Sequence, residues 1–422
     1  MTAPAAHTTR AHAKLAPSAA HRWLVCPGSI RMSEDIPNRS TSFANEGSAA
    51  HELASKCLTD GKDAADFYGW LINVEPAEGK TPFDPPEKCN EPANGETTFD
   101  VDDDMAEAVQ EYLDHVRGIY GDADAALMSV EERLDMTDLH PGIFGTGDAT
   151  VFVHATRTLH VIDFKFGKGV AVTADQNPQL MLYGAGAARR HHNLPVEKIA
   201  LHIVQPRAPH GDGRIRTYET DVLELLEFED TIREAALATE APGAPLAAGE
   251  HCRFCPAAAI CPEHRRHALA LAEIEFSDTG ELVLPAPETM TAEQIGKTLH
   301  AADLISNWIK AVQQHAHDQA LAGNMPAGFK LVAKRAIRKW KEGDDVLDVL
   351  QIDFGIAEEE LYERKLRSPA KLERMFPGKN AKQRQSAMEP LVIKESSGTN
   401  LVPKGDPRPA VKVDAASEFG AE

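Results

Sequence analysis

The sequence predicts an α/β protein, a mixed β-sheet flanked by helices, on three observations. The run from Gly145 to Phe166 is rich in Val, Thr, Phe and Ile with broken alternation, and reads as the two strands of a hairpin. A further apolar run, Lys198 to Gln205, reads as another strand. Between and after these strands lie segments with helix-capping signals, and strand, strand, helix, strand, helix around one sheet makes an α/β core. With 422 residues, 42% apolar and 26% charged, the chain has a globular composition and a length suited to two or three domains.

The elements follow in order. Residues 1–17 are expected to be a flexible N-terminus and 18–270 the folded core, opened by an anchor-like island, HRWLVCPG, from His21 to Gly28. Glu46 to Cys57 has helix-compatible composition. A second helix is expected from Asp102 to Gly118, with Asp102 to Asp104 at its positive end. Between them residues 73–99 hold five prolines and read as a long surface loop.

Pro178 suits the first position of a helix capped by Asn177 and running to about Arg190. Asp221 to Thr239 reads as the next helix. Thr291 to Gly323, within a segment 288–325, carries apolar residues at 295, 299, 305, 308, 309 and 312, with Thr291 and Gln294 as a capping box. Residues 327–395 read as a small basic accessory module and 396–422, rich in Pro, Gly and small residues, as a flexible tail.

The net charge of -21 argues against a non-specific basic nucleic-acid binder but leaves room for local basic patches. Two such patches stand near the C-terminus. Six basic residues and no acidic one lie between Lys330 and Lys341, among them Lys334, Arg335, Arg338 and Lys339 beside Trp340. Eight basic residues and one acidic lie between Arg364 and Arg384. Charge with a stacking platform is what DNA binding needs, and a solvated face balancing an acidic core is the alternative. With no long apolar span and no apolar core of a signal peptide, a cytoplasmic protein without membrane attachment is expected.

In an extended chain Asp163 and Lys165 share one face, which sets a carboxylate beside an ammonium. A hairpin turning on Ala155 and Thr156 makes cross-strand numbers sum to 311, so Asp148 stands opposite Asp163 at roughly 5 Å. Facing carboxylates suit a hard cation, Mg²⁺ or Mn²⁺, while a turn cap and an ordinary surface ion pair are the alternatives. Upstream, Gly47 and His51 lie on an expected helix; downstream, Gln179 and Tyr183 stand four apart on another.

Six cysteines without a secretory signal are too few for a disulfide framework, yet Cys252, Cys255 and Cys261 form a compact C-x2-C-x5-C cluster. Three thiolates want a fourth ligand. Cys26 in the HRWLVCPG island is the best candidate, against Cys57 in a helix and Cys89 in the proline-rich stretch. Four cysteines suit a four-iron four-sulfur cluster or Zn²⁺, with His251 and His264 as spare zinc donors.

The ordered set G-x-x-x-H, G-x-G-D, D-x-K and Q-x-x-x-Y resembles the RecB-type branch of the PD-(D/E)XK nuclease superfamily over roughly residues 18–266. One cysteine before these motifs and three after them resembles AddB and the iron-sulfur exonucleases of CRISPR adaptation. The nuclease core followed by a C-terminal extension also resembles phage and prophage proteins of uncharacterised function. The resemblance implies a restriction-endonuclease-like core with an iron-sulfur staple joining its two ends. It implies metal binding by His51, Asp148, Asp163 and the Phe164 carbonyl, with Lys165 orienting water or stabilising phosphate charge. Gln179 and Tyr183 would position Lys165 and the DNA.

The function so implied is that of a Mg²⁺- or Mn²⁺-dependent deoxyribonuclease, an exonuclease on single-stranded or end-bearing DNA in phage recombination or replication. Its expected partners are DNA and a phage annealing or single-strand-binding protein, and the resemblance is compatible with a DNA-threading oligomer. No Walker A loop occurs, so any motor is borrowed. Two other classes stay open: a non-catalytic DNA-binding or assembly protein of the same fold, and a zinc-stapled nuclease acting on RNA.

Overall fold

A computed structural model describes residues 13–36, 41–76, 81–85, 96–121, 126–208, 210–271 and 290–332, with short pieces elsewhere. The chain divides into two compact units, Met1–His315 and Ala316–Glu422. The sheet, its flanking helices and the residues of the candidate site belong to the first.

In chain order the elements are α1 (Ala20–Trp23), α2 (Ser29–Met32), α3 (Ser42–Asp60), β1 (Leu71–Asn73), β2 (Phe83–Asp84), β3 (Thr98–Asp100), α4 (Asp103–Tyr120), β4 (Ala126–Asp135), β5 (Phe144–Val153), β6 (Thr158–Phe164), α5 (Pro178–Arg190), β7 (Lys198–Val204), β8 (Ile215–Thr220), α6 (Val222–Glu240), α7 (Pro262–Leu271), β9 (Glu275–Phe276), β10 (Leu282–Val283) and α8 (Ala292–Leu321). The main sheet has the order β4-β5-β6-β7-β8. Its pairs are antiparallel except β6 with β7, which run parallel through the crossover helix α5. β6 and β7 are buried on both faces, which explains their near-continuous apolar sequence.

Helices α3 and α4 cover one face around Leu53, Tyr112, Leu113 and Phe164; α5, α6 and the N-terminal stretch cover the other around Trp23, Leu180, Leu201 and Ile232. Each of the helices α3 to α6 starts on a side-chain cap that satisfies otherwise orphaned N–H groups. Thr41 accepts from Ala44, Asp102 from Met105, Asn177 from Gln179 and Leu180, and Asp221 from Glu224. The hairpin keeps the expected register, with Val153 opposite Thr158 and Ala149 opposite Ile162.

Three expectations need correction. Residues 73–99 are not simply a surface loop, because β1 pairs with both β2 and β3 in a small antiparallel sheet. Leu15, placed in the flexible terminus, is fully buried, and its N–H bonds the Gly142 carbonyl. The sheet also gains two strands the sequence pattern missed, β4 and β8, at its edges. Among the described residues no helix is long and apolar enough to cross a membrane.

Candidate metal and catalytic centre

The ladder between β4 and β5 has one gap. Val130 pairs with Ala149 and Glu132 with Gly147, so Glu131 and Asp148 face each other between them, and Glu131 adopts a left-handed φ of 51°. Side chains change faces there. Met128 and Val130 pack with the α3–α4 core, whereas Leu134, of the same parity, packs with the α5–α6 core. The two glycines of G-x-G-D permit this: a Cβ on Gly147 would lie 3.0 Å from Leu134, and one on Gly145 would lie 2.9 Å from the Tyr183 ring.

Into this gap α3 sends His51, whose Nδ1 lies 3.2 Å from Asp148 Oδ1. Asp148 Oδ2 accepts the Phe164 backbone N–H at 2.7 Å. Donor atoms of His51, Glu131 and Asp148 lie within 4.8 Å of one another. Burial alone would lower the His51 pKa, but the Asp148 charge and hydrogen bond outweigh it and hold the imidazole up to about 9. Burial works against the Asp148 carboxylate too, yet His51 keeps it below the usual range.

Asp163, one residue along β6, is turned to different partners. Its Oδ1 accepts from Gln179 Nε2 at 3.0 Å, and its Oδ2 forms an ion pair with Lys165 Nζ at 2.9 Å. Lys165 Nζ in turn donates to Gln179 Oε1 at 2.9 Å. Gln179 thus ties the acid and the base of D-x-K together from the first turn of α5. Burial, reinforced by the Asp148 charge, raises the Asp163 carboxyl despite Lys165. Tyr183, one turn along α5 from Gln179, is buried, and burial pushes its phenol up.

All seven of His51, Asp148, Asp163, Phe164, Lys165, Gln179 and Tyr183 line one cleft of about 880 Å³. Two residues that the sequence did not single out join them. Glu131, and not Asp163, completes the converging donor set. Gln205, at the end of β7, holds the loop after Lys165: its Oε1 accepts from Val172 N–H and Arg216, and its Nε2 donates to the Gly167 and Val170 carbonyls. Neither gives a sequence signal beyond a polar residue in or ending a strand.

Cys26, Cys252, Cys255 and Cys261 line one small cavity together with His251 and His264. Cys26 Sγ accepts from the Ala247 N–H at 3.3 Å and Cys261 Sγ from the His264 N–H at 3.5 Å. The island that carries Cys26 is seated on this region, for Gly28 N–H bonds Pro245 O and a Cβ there would lie 2.6 Å from Ala244 O. Cys57 is buried in α3, away from this cavity, and its thiol is pushed up to about 12 by burial. The basic residues Lys334, Arg335, Arg338, Lys339 and Trp340, and the segment from Arg364 to Arg384, lie outside the described residues, as does the tail 396–422.

Fold and site together define a mixed α/β protein with a five-stranded sheet and a half-buried imidazole–carboxylate centre beside an Asp–Lys–Gln cluster. A family described as "Protein of unknown function (DUF2800)" matches residues 12–409, nearly the whole chain. The chain belongs to that family.

Proposed function

We propose that this protein is a Mg²⁺- or Mn²⁺-dependent deoxyribonuclease with a restriction-endonuclease-like core, acting as an exonuclease on DNA ends. One observation carries this reading: an imidazole and two carboxylates converge within 4.8 Å at the wall of the cleft that also holds the Asp163–Lys165–Gln179 cluster. Two carboxylates brought that close, with one imidazole, form a hard donor set that fits Mg²⁺ or Mn²⁺. His51, Glu131 and Asp148 would hold the ion, which when bound lowers the pKa of a coordinated water and polarises a phosphoryl oxygen.

The chain's own residues supply the rest. Lys165, fixed between Asp163 and Gln179, presents an ammonium to the cleft where charge develops on a phosphate. Asp163 keeps that ammonium in place, and Gln179 holds both. Tyr183 closes the wall behind them against Gly145. End processing of this kind suits recombination or replication of a phage or prophage, with DNA as the partner.

The cysteine cavity extends the proposal. Four thiols around one space, two of them already accepting backbone N–H groups, support a four-iron four-sulfur staple between the N-terminal island and the segment after α6. Zinc is the alternative, and metal analysis of anaerobically purified protein decides between them.

The test is degradation of end-labelled single- and double-stranded DNA with Mg²⁺ or Mn²⁺. Wild type should shorten the label, and Asp148→Ala and Lys165→Ala should not. Wild type that binds DNA but never cuts it would favour a binding or assembly protein, and cleavage of RNA alone would favour the RNA reading.

A further inference from the structure

The cleft carries aromatic groups at its mouth that the chemistry above does not use. Phe43 is 82% exposed and Phe254 62% exposed, yet both line the cleft of the metal centre. Phe43, Gly47 and His51 are spaced four apart on α3 and so share one helical face. Gly47 lines the cleft with nothing within 4 Å of where its Cβ would be, as do Gly167 and Gly169 on the loop after Lys165. That face therefore offers an aromatic ring, an open floor and then the metal donor.

Phe254 comes from the other side of the chain, between Cys252 and Cys255, with Arg253 Cζ 5.6 Å from its ring. Arg133 Cζ lies 4.2 Å from the Phe144 ring, and both also line the cleft. Cations and exposed π-faces in one channel are the two groups a nucleic-acid strand needs, for its phosphates and its bases. Inside a duplex the stacked pairs offer only their edges, and only the terminal pair has a free face, so π-faces on both sides of the mouth favour unpaired bases.

We infer that Phe43 and Phe254, with Arg253, form a base-stacking clamp that receives a single-stranded DNA end and leads it over Gly47 to the metal centre. The inference rests on the nuclease reading for its direction but is tested by binding alone. The experiment is fluorescence anisotropy of a labelled single-stranded oligonucleotide and of the same sequence as a blunt duplex, on the full chain with EDTA to suppress cleavage. Phe43→Ala and Phe254→Ala should each weaken single-strand binding about tenfold, the scale of one stacked base, and leave duplex binding within about twofold. Phe254→Trp should retain affinity, whereas Phe254→Leu, which keeps the apolar bulk, should not. Gly47→Leu should block entry, weakening single-strand binding while unfolding at the wild-type temperature.

Alanine variants that bind the single strand as tightly as wild type would overturn the clamp, as would equal losses on single strand and duplex, or a wild type with no single-strand affinity. Binding with these losses but no cleavage would retain the clamp and overturn the nuclease. Cleavage with unaltered binding in the variants would do the reverse.

Discussion

Glu131 stands opposite Asp148 at the single gap in the β4–β5 ladder, with the left-handed backbone of Glu131 turning its strand from one core to the other. A non-glycine residue in that region is uncommon and carries a backbone cost of about 1 kcal/mol or more. The gain is a second carboxylate beside Asp148 and His51.

That assigns Glu131 and Asp148 different work from Asp163, the acid of D-x-K. Glu131→Gln should weaken Mn²⁺ binding by about 100-fold, in the manner of Asp148→Asn, whereas Asp163→Asn should leave binding within about tenfold and abolish turnover by freeing Lys165. Calorimetric Mn²⁺ titration of the three variants checks this. Stronger loss in Asp163→Asn than in Glu131→Gln would return Asp163 to the ligand set.

Metal binding should also depend on pH. His51 is held up to about 9 by Asp148 in the metal-free protein, so an incoming ion must displace its proton. Below about pH 9 the apparent affinity should fall tenfold for each unit of acidification, and above it level off. Mn²⁺ titrations at pH 6, 7 and 8 read the slope, and a flat profile would show that His51 is not a ligand.

How much of this was legible in the sequence depends on how local each signal is. The hairpin register followed from a short turn between two runs of strand-forming residues, and the helix starts from Asn177–Pro178 and Asp102, all signals within a few residues. β4 was opaque because its second half, Glu131 to Asp135, is charged and poor in strand formers, and only pairing with β5 makes it a strand. Glu131 was hidden with it. β2 and β3, two and three residues long, are too short to show alternation among prolines. The C-x2-C-x5-C spacing singled out three cysteines and the HRWLVCPG island a fourth, and all four line one cavity.

A chain of three histidines centred on the buried His202 adds to the acid sensitivity of the fold. His202 on β7 lies between His115 Nε2 at 3.2 Å and His160 Nδ1 at 3.0 Å, with Thr217 Oγ1 at 2.9 Å. Burial first, then the charges of His115 and His160, lower the His202 pKa to about 3. The folded form keeps this ring neutral while the unfolded chain takes up a proton below about pH 6.5, so stability falls as pH drops from there. His202 alone should contribute a slope that grows as pH falls through 6.5 and approaches about 1.4 kcal/mol per pH unit near pH 5. Urea midpoints at pH 7, 6 and 5 should converge less steeply in His202→Gln than in wild type, and parallel curves would refute the assignment.

Gln205 makes a prediction of another kind, because it acts on the site without touching the metal donors. Its carboxamide is buried and makes four hydrogen bonds, to Val172, Arg216, Gly167 and Val170. The loop so held begins two residues after Lys165 and lines the cleft through Gly167, Gly169, Val170 and Val172. Gln205→Leu keeps the bulk but strands buried donors and acceptors, a loss of about 1–3 kcal/mol for each group left unpaired. The expected result is faster hydrogen exchange confined to residues 167–172, unchanged Mn²⁺ affinity, and a rise in KM larger than the fall in kcat. Exchange that stays at the wild-type rate would show that backbone geometry alone holds the loop, and a fall in kcat alone would place Gln205 with Lys165 and not with the substrate path.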